Sequence, residues 1–283
     1  MAETMGVTAA SLPAGEIKTC CAALYASDWA RLLLGESFHP GGVPLTLRLG
    51  ALLGLGSGAR VLDVAAGRGT SALALAGRYG CAVVGVDFAS GNAREARAAA
   101  ARAGLADRAH FAVADAERLP FADASFDALV CECAFCTFPD KRAAAREFAR
   151  VLRPGGRVGL SDLSRAGALP PDLDDLLAWV ACIAEARPVE DYVALLEGAG
   201  LRVGPVEPHD EALAGLVRDV RARLLGAEVL AKLGRLALPA AFNIERAKSL
   251  ARSADAAVRD GRLGYALVVG VRPGQGGGAG ARG

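Results

Sequence analysis

The sequence predicts an α/β fold built on a doubly wound, mostly parallel sheet of seven strands, with helices before it and a helical addition after it. Three observations predict this. Short β-branched runs alternate with Ala- and Leu-rich helical stretches from about residue 60 onward. Glycine-rich turns sit at the junctions, AAGRG after the first run and RPGG before the fifth. Aromatics make up only 5% of the chain while Ala, Gly, Leu and Arg are abundant, which suits a helix-rich globular protein.

The bulk numbers bound the rest. A chain of 283 residues holds one well-buried α/β domain with additions, or at most two small ones. The net charge of +1 gives no electrostatic reason to expect nucleic acid as a partner. The N-terminus, MAETMGVTAASLPAGEIKTCC, lacks the basic and apolar regions of a signal peptide. No apolar run approaches the roughly 18–20 residues of a membrane helix, so no membrane association is expected. The seven cysteines are odd in number and clustered, a pattern of free thiols in a reducing, cytoplasmic compartment.

In chain order, residues 1–15 read as a mobile leader. AALYASDWARLLL (22–34) and PLTLRLGALLGL (44–55) read as amphipathic helices. ARVLDVAAGRGTSALALAGRYGCAVVGVDF is a βαβ unit: strand Val61–Val64, glycine turn, helix, strand Ala82–Asp87. A helix over 91–104, strands over 108–114 and 125–133, a helix over 141–152 and a strand ending at Ser161 and Asp162 continue the alternation. After Pro170 the expectation is helix over 171–186, 188–199, 209–236 with breaks, and 240–260. Strands are expected at 201–207 and 263–271, the last as a closing edge strand. The tail GQGGGAGARG (274–283) reads as disordered.

The organisation expected is therefore an N-terminal lid segment and helices (1–55), a cofactor-binding core (56–165), a helical substrate or cap region with a closing strand (166–273), and the tail (274–283). Ligands in such a sheet bind beyond the carboxyl ends of the strands. The turn DVAAGRG places Asp63, Ala65, Gly67, Gly69 and then Thr70 there, where backbone approaches a ligand closely. Asp87 in GVDF, followed by Phe88, can take two ribose hydroxyls. Asp115 in VADAERLPF, followed by Ala116, can accept from an adenine amino group. The turn does not complete the G-x-G-x-x-G of a dinucleotide site.

Three acidic strand ends and the RPGG turn, in that order and at those separations, resemble the class I S-adenosylmethionine-dependent methyltransferases over about residues 55–165. The resemblance implies a Rossmann-like methyltransferase sheet with S-adenosylmethionine as cofactor. It implies cofactor contacts from Asp63, Ala65, Gly67, Gly69, Thr70, Asp87, Phe88, Asp115, Ala116 and, at the end of the fourth strand, Cys131. Ala65 stands where many relatives carry a first glycine.

The thiols need a separate account. CECAFC puts Cys131, Cys133 and Cys136 within six positions, and KTCC puts Cys20 beside Cys21. Strand alternation places Cys131 and Cys133 on one face at the ligand end of the sheet, with Cys136 in the following loop. Cys182 is expected on the helix LLAWVACIAEA, and the Cys20/Cys21 pair on a segment long enough to cover the site. Three readings compete. Cysteines are small hydrophobes that pack in cores, the better reading for Cys81 and Cys131. The second reading is a structural zinc site from Cys20, Cys21, Cys133 and Cys136, but adjacent cysteines are poor zinc spacing. Thiolates also bind a soft, thiophilic atom that is itself the methyl acceptor.

On this last point CAFCTFPDKRAAAREFARVLRPGGRVGLSDL resembles the arsenite methyltransferases. In that family a cysteine eight residues before the Lys of a P-D-K turn ligates trivalent arsenic, a position matched by Cys133. A W-x-x-C cysteine is matched by Trp179 and Cys182, and an N-terminal K-T-C by KTCC. The implied arsenic ligands are Cys133, Cys182 and one of Cys20 and Cys21, with Cys21 the one named; Cys136 as substitute, or two protein thiols alone, stay open. The implied function is arsenite methylation for arsenic detoxification, on arsenite alone or as a thiol conjugate. SFHPGG (37–42) departs from the family, having no cysteine where many relatives carry one.

Arsenic carries a lone pair, so this chemistry needs no general base, and none of His39, His110 and His209 stands out as one. The alternatives are a methyltransferase for a carbon, oxygen or nitrogen atom of a small, quinone-like molecule, and a non-catalytic thiol-based metalloid binder.

Overall fold

The structure, a computed structural model, describes residues 15, 18, 19, 25, 28–35, 37–169, 173, 182–237 and 242–274. Helices α1 (Asp28–Leu34) and α2 (Gly42–Leu52) lead into β1 (Arg60–Val64), α3 (Thr70–Tyr79), β2 (Ala82–Asp87), α4 (Ser90–Arg102) and β3 (Ala109–Val113). Then follow β4 (Phe126–Glu132), a 3₁₀ turn at Phe135–Thr137, α5 (Lys141–Val151) and β5 (Leu152–Arg165). The last part holds α6 (Val189–Gly198), β6 (Arg202–Pro208), α7 (Asp210–Lys232), α8 (Ile244–Arg259) and β7 (Leu263–Val271).

All seven strands join one sheet in the order β3-β2-β1-β4-β5-β7-β6. The first five are parallel, while β7 runs antiparallel to both β5 and β6. The order reverses between β1 and β4, because the chain winds outward from β1 to β3 and then returns to β1's other side. At that switch point the β1 and β4 carboxyl ends diverge from their connecting helices and leave a crevice. Val61, Leu62, Leu129 and Val130 in the central strands are fully buried, as expected of strands covered by helices on both faces.

Two details of register matter. Leu152 pairs with Phe126 and the next pair is Arg157 with Ala128, so RPGG loops out of the sheet edge-on. The expectation that 263–271 closes the sheet at its edge is corrected: β7 lies inside, with seven of its nine residues buried, and β6 is the exposed edge. Apolar composition tells that β7 is covered, but not which strand covers it.

The final helices also differ from expectation. Asp210–Lys232 is one unbroken helix. Residues 182–186 form turns, so Cys182 is not on a helix; its φ of +63° is the left-handed conformation, which a helix cannot contain. Residues 1–14, 20 and 21, 174–181 and 275–283 lie outside the described residues, and with them the expected leader, the KTCC thiols, Trp179 and the tail.

Candidate functional site

One pocket opens at the switch point. It is lined by the β1–α3 turn (Asp63, Ala65, Gly67, Thr70), the β2 end (Asp87, Phe88), the β3 end (Asp115, Ala116), and Glu132 and Cys133 after β4. Sequence reasoning expected nine of these as site residues, and the fold brings them together. Glu132 was not among them.

The turn is shaped by left-handed backbone. Gly67 has φ +53° and Gly69 φ +85°, values glycine reaches freely. Gly69 does not line the pocket. A Cβ there would fall 2.7 Å from Phe111 and 3.0 Å from Ala96, so this glycine permits close packing of α3 on the sheet. Ala65 takes φ +59°, a conformation that costs a non-glycine residue about 1–2 kcal/mol. Ala65→Gly should relieve that strain, less the entropy glycine returns to the unfolded chain, for a net gain of about 0.5–1 kcal/mol. A thermal melt should show this as a Tm rise of about 1–3 °C.

The pocket is acidic. Asp87 Oδ2 accepts from the Gly67 amide at 2.9 Å, and Oδ1 accepts from the Ala89 amide at 2.8 Å and Asn92 at 3.2 Å. Asp63 is 2% exposed, and its Oδ2 has no hydrogen-bond partner. Burial, with Coulombic repulsion from Glu132 and Asp87, pushes its carboxyl well above the usual range. Four carboxylates thus face one cavity whose lining cations, among the described residues, are Lys18 and Arg68. Such a site suits a ligand with positive charge and hydroxyl donors.

A second polar cluster sits beside it. Glu132 accepts from Thr46 Oγ1 at 3.0 Å and Ser161 Oγ at 3.4 Å, and His39 Nε2 lies 3.7 Å from its carboxylate. The His39 and Glu132 side chains are 3% and 4% exposed. His39 read as an ordinary residue of a Gly/Pro-rich turn, of the kind that also carries function; the fold buries it against a carboxylate at the pocket. The one sequence signal was Glu132 itself, a fourth acidic strand end inside CECAFC.

The thiols converge. Cys133 lines the pocket, and Cys182, from a segment 49 residues away, places its Sγ 3.5 Å from the Cys133 carbonyl oxygen and 3.4 Å from the Tyr25 hydroxyl. The Cys133 and Cys136 thiols hydrogen-bond to the Cys182 sulfur, and with Tyr25 and the Lys141 charge they outweigh burial to hold Cys182 well below the ordinary thiol range. The same bond to Cys182, reinforced by burial, raises Cys133; burial first, then Cys182, raises Cys136. Cys133 and Cys182 both have left-handed φ, +51° and +63°, and such strain gathers at functional sites. Among the described residues no three His, Cys, Asp or Glu side chains stand together as a metal-binding group.

Two expectations about cysteines are corrected. Cys131 was placed on the ligand face with Cys133, but β4 ends at Glu132 and the left-handed Cys133 breaks the alternation. Cys131 is fully buried in the core and does not line the pocket. Cys182 is likewise buried behind Cys133 rather than on the pocket wall. Cys20 and Cys21 lie outside the described residues.

Asp162 underlies the cluster. Its carboxyl accepts from the Cys136 and Leu163 amides at 2.9 and 2.8 Å, yet burial first, and then the Cys182 charge, push it up to about 7. A carboxyl raised by folding contributes stability that is complete below its ordinary value of 3.8 and is lost as pH rises to about 7. Each pH unit in that window is about 1.4 kcal/mol. Asp162→Asn should flatten the fall in stability between about pH 4 and about pH 7, measured by urea unfolding at both ends.

Residues 62–160 match the family described as a methyltransferase domain. Those residues are a methyltransferase domain. The acidic lining and the unpartnered Asp63 oxygen suit the methyl donor of such domains, S-adenosylmethionine, which carries a sulfonium, an ammonium and ribose hydroxyls. The methyltransferase core is 37% identical over 163 residues to methyltransferase GfsG of Streptomyces halstedii, covering 56% of this chain and 59% of that one. It is 32% identical over 165 residues to an arsenite methyltransferase of Halobacterium salinarum, covering 57% of this chain and 42% of that one. The chain thus matches only part of these relatives' length. In fold it is similar to a phosphoethanolamine N-methyltransferase 2 of Haemonchus contortus, solved with phosphomonomethylethanolamine and S-adenosylhomocysteine. The TM-score is 0.75 at 19% identity over 93% of this chain and 61% of that chain. No helix among the described residues is long and apolar enough to cross a membrane.

Proposed function

We propose that the chain methylates trivalent arsenic held by its own thiolates, with Cys133 and Cys182 as two ligands and one of Cys20 and Cys21, or an external thiol, as the third. The observation that carries this is the meeting of Cys182 with Cys133 beside the methyl-donor pocket, from chain segments 49 residues apart. The likeness to an arsenite methyltransferase supports the same reading. Such a reaction would remove arsenite from the cytoplasm, where thiols stay reduced.

Asp87 takes the ribose hydroxyls, Asp115 the adenine amino group, and the Gly67–Thr70 turn with Asp63 the amino-acid end. When bound, S-adenosylmethionine supplies an electrophilic methyl group on its sulfonium. The neighbouring thiols lower Cys182 toward the thiolate form, and thiolates suit a soft acceptor. Thiolate-bound trivalent arsenic keeps a lone pair, so no residue need remove a proton from it. The pocket walls exclude water from the donor and align the two.

The reading is tested by incubating the protein with arsenite, S-adenosylmethionine and a thiol reductant and detecting methylated arsenic by mass. Absence of product from protein that binds the donor counts against it.

One observation favours a second reading, methyl transfer to a hydroxyl of a small organic molecule. His39 against Glu132 is a base-and-orienter arrangement at the pocket. In that case the thiols are packing groups, and turnover of phenolic acceptors would fall in His39→Ala and persist in Cys133→Ser.

A further inference from the structure

Lys141 stands where neither its charge nor its surroundings favour it. It is the first residue of α5, directly after the Asp140 cap. The N-terminal end of a helix carries partial positive charge and disfavours a cation. The Lys141 side chain is only 8% exposed, and a buried ammonium is costly unless acceptors are arranged around it. Helix stability explains neither the charge nor the burial, and a residue that breaks such local rules points to a site.

Its partners show what it joins. Nζ donates to the Phe138 carbonyl oxygen at 3.0 Å and lies 3.1 Å from Glu185 Oε2. Phe138 lines the pocket, at the end of the loop that carries Cys133 and Cys136. Glu185 belongs to the turn over 182–186 that begins with Cys182. One ammonium therefore ties the two thiol-bearing segments together. The far end of the turn is anchored separately on β5, where the Arg187 carbonyl oxygen accepts from the Arg165 amide at 3.1 Å. Among the described residues, Lys141–Glu185 is the ion pair that links the turn to the thiol loop. The Lys141 charge also acts on the Cys182 thiol and lowers it.

We propose that Lys141 is a clamp: by holding Phe138 and Glu185 together it fixes the spacing of the Cys133 and Cys182 sulfurs, so that one trivalent arsenic can take both. This rests on the reading that those two thiolates hold arsenic. Two sulfurs already set at one spacing bind a shared centre without first ordering their segments. Lys141 does not line the pocket, which makes it a positioning residue rather than a catalytic one.

The test is calorimetric binding of phenylarsine oxide, a trivalent arsenical that takes two thiolates, to the full chain, beside S-adenosylmethionine binding and a thermal melt. Lys141→Met and Glu185→Ala should each weaken phenylarsine oxide binding by about 10-fold, the scale on which groups that support a ligand side chain act, and leave S-adenosylmethionine binding within about 2-fold. The double variant should bind no more weakly than Lys141→Met, because both substitutions remove the same contact. Glu185→Gln keeps an acceptor for the ammonium and should lose less than Glu185→Ala, a difference that a general loss of stability would not produce. Glu185 is a third exposed, so its variants test the clamp even where Lys141→Met fails to fold. Wild-type affinity for phenylarsine oxide in Glu185→Ala, additive losses in the double variant, or equal losses in Glu185→Gln and Glu185→Ala would overturn the clamp while leaving the thiolate site standing. A wild-type chain that holds phenylarsine oxide no better than Cys133→Ser would overturn the thiolate reading itself, and the clamp with it.

Discussion

Cys133→Ser should lower arsenite methylation by at least about 100-fold while S-adenosylmethionine binds within about 2-fold of the wild type. The substitution keeps side-chain size and replaces a soft thiolate ligand by a hard alcohol that does not ionise near neutral pH. Cys133 lines the pocket but makes none of the contacts around Asp87 or Asp115, so donor binding should survive. Cys182→Ser should act in the same direction, because the low thiol of the cluster is its own. Cys81→Ser serves as the control: that thiol is buried in the core, donating to the Leu75 carbonyl oxygen, and its loss should affect stability rather than turnover. Methylated arsenic measured by mass, with calorimetry for the donor, separates these results. Full turnover in Cys133→Ser would defeat the thiolate reading and favour the organic acceptor.

Asp87→Ala should weaken S-adenosylmethionine binding by about 10–150-fold, the loss of hydrogen bonds to a charged acceptor worth about 1.5–3 kcal/mol. Three groups already point at this carboxylate: the Gly67 and Ala89 amides and the Asn92 amide. It therefore holds the β1–α3 turn and the start of α4 in place as well as lining the pocket. Asp87→Asn separates the two roles, because it keeps an oxygen for one set of amides and removes the charge. Calorimetric titration of both variants, beside their melting temperatures, should show weaker binding in each and a larger Tm loss in Asp87→Ala. Unchanged affinity in both would remove Asp87 from the donor site.

Much of this site was legible because it is local in the chain. Asp63, Asp87 and Asp115 each follow a short apolar run, and strands of a parallel sheet end together on one side. Once three strands are recognised, their last residues share a crevice without any knowledge of packing. The βαβ pattern from Arg60 to Asp87 matches the elements nearly residue for residue, since glycine at 67, 69 and 80 marks each change of direction. Where an expectation failed, the cause was a contact between distant segments. Strand alternation carried through Cys133 only if β4 continued, and a left-handed residue ended it one position earlier. Helical spacing in LLAWVACIAEA said nothing of the turn at Cys182. His39 looked ordinary because its partners, Thr46, Ser71 and Glu132, come from three other elements.

The sequence by itself determined the class of sheet, the acidic strand ends and which cysteines were worth following, because hydrophobic period, turn chemistry and residue type act over a few neighbours. Only the tertiary structure decided that β7 lies inside the sheet, that Cys182 meets Cys133, that His39 faces Glu132 and that Lys18 reaches Asp115. Those outcomes depend on which surfaces bury each other, and pairing across 49 to 114 residues leaves no periodic trace in the chain.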